Sequence, residues 1–168
     1  MYKIICFPLL TAMLFACNNS SNSNATNDTT TNTTEDTSHK MSNMTSNVPE
    51  LPAVPEGAKV YFKNLKNNQT VISPVKIEMG VDKMKVDTTG PVVQASGHYH
   101  IFIDAEDSLA SGTIVPKDST HLHYGKAQTE ATVPLTAGKH KLTLQFADGL
   151  HRSYGGRLAT TVNVNVKK

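Results

Sequence analysis

Two short histidine motifs contain the residues of this chain that are best suited to chemistry. The sequence has H-Y-H at residues 98–100 and H-L-H at residues 121–123. Alternate residues of an extended strand point to the same side, so each motif places two imidazoles on one face. Imidazole nitrogens suit Zn(II), Cu(II) and Ni(II). The pattern predicts a site for one divalent metal ion, or for one small polar ligand, formed by His98, His100, His121 and His123.

Polar residues near the motifs are candidates for a supporting role. A histidine that binds a metal usually donates its second N–H to a carboxylate or a carbonyl, and oxygen ligands can complete a metal site. The sequence predicts four supporting residues: Asp104, Gln128, Glu130 and His151. His140 is interpreted separately, as a core histidine at a strand end, because Leu142 and Leu144 share its face.

Two other interpretations of the histidines remain open. In the first, they form a buried structural network, hydrogen-bonded to one another and to Gln128 and Glu130, since buried polar groups need partners. In the second, they brace a non-metal site that contacts a glycan or another envelope protein. The tyrosines that would serve as stacking platforms for a glycan are Tyr99, Tyr124 and Tyr154.

The sequence favours binding over catalysis. The only cysteines are Cys6 and Cys17, both ahead of the folded part. A cysteine nucleophile, a thiolate metal site and a disulfide are therefore excluded there. A Ser–His–Asp set written from Ser96, His98 and Asp104 lacks the glycine-flanked turn that exposes a nucleophilic serine.

The beginning of the chain predicts export. Lys3 is followed by a short apolar run. The positive charge and the apolar run together indicate a signal peptide over residues 1–16. The run is shorter than the roughly 20 residues of a transmembrane helix. The segment L-F-A-C at residues 14–17 resembles the lipobox of bacterial lipoproteins. That resemblance implies lipidation of Cys17 and a lipid anchor in the cell envelope. Asn18 after the cysteine, in place of aspartate, favours the outer membrane.

Composition divides the remaining chain into a tether and one domain. Residues 17–56 are dominated by Asn, Ser and Thr and bury too little apolar area to offset the entropy of ordering them. They predict a disordered tether, in which His39, Met41 and Met44 are incidental. Residues 57–168 have the size of one ordinary domain. The formal charge is +2 with no basic stripe and no Trp, so nucleic-acid binding is not expected.

The domain has the pattern of an all-β fold. Apolar and polar residues alternate over several short runs, at residues 60–62, 74–81, 98–104, 139–146 and 158–166. Alternation of period two indicates half-buried strands, and Asn and Gly clusters separate the runs. We expect an immunoglobulin-like β-sandwich of about seven strands. A small β-barrel is the alternative.

The histidine motifs and their flanks resemble a bacterial family named domain of unknown function 4399. The resemblance rests on G-H-Y-H-I-F-I-D at 97–104, H-L-H-Y-G-K-A-Q-T-E at 121–130 and G-K-H at 138–140, and it extends over 57–168. Two features depart from the family pattern. Tyr99 replaces the middle residue of a histidine triplet, and a His- and Pro-rich loop is reduced to residues 151–154. The resemblance implies a fold and little chemistry.

Overall fold

The computed structural model describes residues 48–168. The signal peptide, Cys17 and most of the tether lie outside the described residues. The described part contains one 3-10 turn at Gly156–Leu158 and nine strands: β1 (Lys59–Phe62), β2 (Gln69–Ile72), β3 (Val75–Asp82), β4 (Lys85–Val86), β5 (Ser96–Ile103), β6 (His121–Tyr124), β7 (Glu130–Val133), β8 (Gly138–Ala147) and β9 (Ala159–Lys167). Over these residues, no helix is long and apolar enough to cross a membrane.

The strands form two sheets. One sheet has the order β1-β3-β7, and the other has the order β2-β9-β8-β5. Both β4 and β6 pair with the remaining edge of β5. If β1, β3, β5, β7, β8 and β9 are named A, B, C, E, F and G, these orders are the A-B-E and C-F-G sheets of an immunoglobulin sandwich. The predicted all-β fold is confirmed.

The core lies between the two sheets. Ile77 and Met79 of β3 face Ile101 of β5 and Leu144 of β8 in one apolar cluster, and all four side chains are fully buried. These residues alternate with polar ones along β3 and β8, so the period-two pattern of the sequence produces this face directly. Burial of each such side chain contributes about 1.5–3 kcal/mol.

β5 is covered on its outer face as well. Every residue from Ser96 to Phe102 is buried, because the segments 104–120 and 148–158 lie over the strand. Gln145 fastens them: its Oε1 accepts a hydrogen bond from the N–H of Leu109, and its Nε2 donates to the carbonyl of Leu158. Side chains on the outer face of β5 are therefore enclosed.

The folded chain begins before Gly57, the boundary that composition predicts. Leu51 and Val54 pack against the core, and Arg152 donates a hydrogen bond to the carbonyl of Pro49 at 2.6 Å. Composition missed this segment because its few apolar residues stand among prolines and follow a long polar run.

Candidate metal centre

His98 and His100 form the buried half of the site, on the outer face of β5. Their exposed fractions are 0% and 1%. The two Nε2 atoms are 3.0 Å apart, and the ring centroids are 4.8 Å apart. The strand period therefore places this pair on one side, as its spacing predicts.

β6 brings His123 to the same place. β6 pairs antiparallel with β5, and His123 lies opposite His100. The ring centroid of His123 is 5.0 Å from those of His98 and His100. Gly125 makes room for this ring, because a Cβ at that position would collide with Nε2 of His123. His123 is exposed and forms the solvent side of the group.

His151 reaches the group from the loop between β8 and β9. Asp148, which is fully buried, shapes this loop: it accepts the backbone N–H of Arg152 at 2.8 Å and the guanidinium Nε at 2.8 Å. His151 adopts a left-handed conformation with a φ of 66°. Its Nε2 lies 3.2 Å from Nε2 of His123, and its ring centroid lies 5.0 Å from that of His98.

The spacing of the nitrogens fits a metal ion. The ligand atoms of His98, His100 and His123 all lie within 4.8 Å of one another. In a tetrahedral zinc site with bonds of 2.0–2.1 Å, ligand nitrogens are separated by about 3.3–3.4 Å. Small rotations of the rings would bring the nitrogens to that separation. We call these three residues the histidine triad.

Burial favours the neutral form of the three triad histidines. It lowers the pKa of His98 to about 4, with smaller contributions from the neighbouring imidazoles. It lowers the pKa of His100 further, and it also lowers the pKa of His123. A neutral imidazole keeps the lone pair that a metal requires. Within residues 48–168, Nδ1 of His98 and Nδ1 of His100 have no hydrogen-bond partner.

His121 lies outside the triad, so the structure brings together three of the four predicted ligands. Its Nδ1 is 2.8 Å from Oδ1 of Asp118, and its Nε2 is 3.3 Å from Oε1 of Glu106. Burial lowers the pKa of His121, but the two carboxylates together outweigh this effect and the pKa is raised. Asp118 lies three residues before His121 and also accepts the backbone N–H of His121. This second contact holds the carboxylate next to the imidazole.

Three of the predicted supporting residues bind elsewhere. Asp104 holds Nδ1 of His140 at 2.7 Å, Glu130 forms an ion pair with Lys76 at 3.3 Å, and Gln128 accepts a backbone N–H within its own loop. These groups pair with residues on an adjacent strand or in the same loop, so they are not among the residues that converge on the triad. Gln128 and Glu130 also make no hydrogen bond to the triad histidines in the described part of the chain, although the alternative of a buried hydrogen-bonded network expects them to.

His151 is the one predicted supporting residue that reaches the site. No periodicity could place it, because it lies on a loop rather than a strand. The sequence contains only an indirect sign of its position. His151 begins the segment that stands in place of the His- and Pro-rich loop of the domain of unknown function 4399 family.

The tyrosines proposed as glycan platforms are mostly unsuited to that role. Tyr99 is fully buried and Tyr154 is 3% exposed. Tyr154 donates its hydroxyl to the carbonyl of Ser96 at 2.7 Å. A stacking platform must present a ring face to solvent, so only Tyr124, which is half-buried, keeps part of that role.

A cavity of about 220 Å³ opens beside the triad. It gives solvent and small molecules access to the group. Its lining consists of His100, Val115, Pro116, Lys117, His123 and His151.

The fold and the site together define an all-β sandwich domain with a histidine triad on the outer face of one sheet. Residues 77–167 match the family described as Domain of unknown function (DUF4399), and the chain belongs to this family. The predicted resemblance is confirmed. No curated protein and no solved structure matches the chain.

Proposed function

We propose that this domain binds one divalent transition-metal ion, Zn(II), Cu(II) or Ni(II), through His98, His100 and His123. The observation that supports the proposal is the convergence of three imidazoles from two neighbouring strands, with all ligand atoms within 4.8 Å. Imidazole is a ligand that these ions share, and selection among them depends on geometry and availability.

A hydrogen-bonded histidine network is the competing explanation, and magnitudes favour the metal. The Nε2 atoms of His98 and His100 are at hydrogen-bond distance. One such bond contributes about 0.5–1.5 kcal/mol. A structural zinc site in small peptides contributes about 10–16 kcal/mol at pH 7. A metal therefore offsets the burial of two polar rings far better than one hydrogen bond does.

The decisive test is metal titration of the mature chain carrying Cys17→Ser, which removes the lipid. We expect one ion per chain by calorimetry at pH 7 with at least one of Zn(II), Cu(II) and Ni(II). His100→Ala should weaken binding by more than about 100-fold, because even outer-shell partners of metal ligands cost 10–100-fold.

His121→Ala is the matched control, since it removes a histidine from the same strand as His123. It should change the affinity by no more than about threefold, because His121 pairs with Asp118 and Glu106 rather than with the triad. Absence of heat with all three ions, or equal losses in the two variants, would refute the proposal. The metal content of protein purified without an affinity tag gives an independent check.

We also propose that the domain is held at the cell envelope, in the outer membrane, by a lipid on Cys17. The support is the lipobox-like segment at residues 14–17 together with the export signal before it. The wild-type chain should fractionate with outer membranes. Cys17→Ser should be released in soluble form, and retention of this variant would contradict the anchor.

A further inference from the structure

The cavity beside the histidine triad lies where a bound ion would have its free coordination position. Two of the three triad residues, His100 and His123, line the cavity. His98 is fully buried and does not line the cavity. Three protein ligands leave a tetrahedral ion with one position for an exogenous ligand, as in open zinc sites. The cavity that His100 and His123 line is open to that position, and His151 lines the same cavity.

The charges around the cavity favour an anion. Lys117 is the charged residue among the lining residues, and no carboxylate belongs to that lining in the described part of the chain. Imidazole binds a metal as a neutral ligand, so a divalent ion held by three histidines would keep its full charge. The nearby carboxylate of Asp148 is buried and paired with the guanidinium of Arg152 at 2.7 Å. An anion in the cavity would therefore meet an uncompensated positive field.

The size and walls of the cavity favour a small organic anion. Its volume of about 220 Å³ is below the 300–1,000 Å³ of sites for drug-sized ligands. Val115 and Pro116 form apolar walls, and Val115 is buried. A short apolar chain would contact these walls, whereas a fully hydrated inorganic anion would gain nothing from them.

We propose that the metal-loaded site takes a small carboxylate in this cavity. One carboxylate oxygen occupies the free position of the ion, Lys117 lies beside the negative charge, and His151 forms a hydrogen bond at the entrance. This inference rests on the proposed metal site, with His98, His100 and His123 as its three ligands.

Cobalt is a suitable probe, because Co(II) occupies zinc sites and its visible spectrum reports its ligands. The mature chain carrying Cys17→Ser is loaded with Co(II) and titrated with acetate, butyrate and phosphate at constant ionic strength. We expect a saturable spectral change with acetate and butyrate, at lower concentration for butyrate. Tighter binding of phosphate, or no spectral change with any anion, would overturn the inference and leave the metal site standing. Failure to bind cobalt would remove both.

Lys117→Gln should weaken carboxylate binding about two- to fivefold, the scale of an exposed ionic contact, and leave cobalt affinity unchanged. Lys63→Gln is the matched control, because Lys63 is an exposed lysine at the end of β1 in the other sheet. Equal effects of the two variants on carboxylate binding would overturn the role of Lys117.

His151→Ala separates an entrance residue from a fourth metal ligand. We expect it to weaken carboxylate binding while cobalt affinity changes by no more than about threefold. If His151→Ala reduces cobalt affinity as much as His100→Ala does, His151 fills the fourth position and the carboxylate site does not exist.

Discussion

His123 and His121 are separated by one residue on the same strand, yet their environments shift their pKa values in opposite directions. Burial, and to a smaller extent His151 and Lys117, lower the pKa of His123. Two carboxylates overcome burial and raise the pKa of His121. The difference shows that the loops over β6, rather than residue type or strand position, decide which histidine is available to a metal.

The contrast extends to the role of each histidine: the triad is a candidate ligand group, whereas His121 makes a structural contact. The triad offers neutral nitrogens to one another and to a cavity. His121 instead ties its strand to the segment 104–120, through Asp118 and Glu106. His140 makes an equivalent contact with Asp104. Histidines paired with carboxylates fasten loops in this domain.

The largest expected effect is a loss of stability of the metal-free protein in acid. His98 has a folded pKa of about 4 and an unfolded pKa near 6.5. Between these values the unfolded chain binds more protons, so the free energy of unfolding falls as the pH decreases. For this residue the fall is about 3 kcal/mol from pH 6.5 to pH 4. Urea unfolding with EDTA at several pH values measures it. His98→Leu should flatten the curve, and an unchanged slope would contradict the buried neutral state.

Metal should restore stability only through the triad. With free zinc at 100 times its Kd, unfolding should cost about 2.7 kcal/mol more than without metal. His123→Ala should abolish this gain and His121→Ala should keep it, as measured by urea unfolding at pH 7. Equal gains in the two variants would remove the distinction between the two histidines.

A smaller effect should follow from filling the space that His123 uses. Gly125→Ala should push the imidazole out of the triad and weaken zinc binding by about tenfold, the scale of changes just outside a metal site. Gly156→Ala is the control, because its Cβ would make only an ordinary contact of 3.5 Å with Ser108. If both variants bind zinc as the wild type does, Gly125 has no positioning role.

The smallest expected effect concerns the carboxylate partner of His121. A raised pKa stabilises the fold fully below pH 6.5, and this contribution is lost as the pH rises through the folded pKa. Asp118→Asn should lower the pKa of His121 in an NMR titration and leave that of His98 unchanged. A pKa of His121 that does not move would show that Asp118 is not its controlling partner.

Much of the fold could be predicted from the sequence, because alternation is local. The long strands β3, β5, β8 and β9 each show the period-two pattern. β2 reads Q-T-V-I, which does not alternate apolar and polar residues, and β4 has only two residues. Composition places the domain start at Gly57, whereas Leu51 and Val54 pack against the core, a contact that composition cannot detect.

The site was only partly predictable, because two of its features depend on long-range contacts. The spacing of His98 and His100 sufficed for the β5 pair. The capture of His121 depends on how the segment 104–120 folds back toward the strand. The arrival of His151 depends on the Asp148 contacts and a left-handed backbone conformation. Neither the pairing of His121 nor the position of His151 can be predicted from the spacing of residues that are close in sequence.

The enclosure of β5 has a consequence for metal release. A central strand covered on both faces should exchange its amide hydrogens among the slowest in the domain, whereas β6 has four residues and pairs with β5 alone among the described strands. Local opening should therefore free His123 first while His98 and His100 stay in place. The ion would leave stepwise from a half-site that remains assembled and can be refilled without refolding.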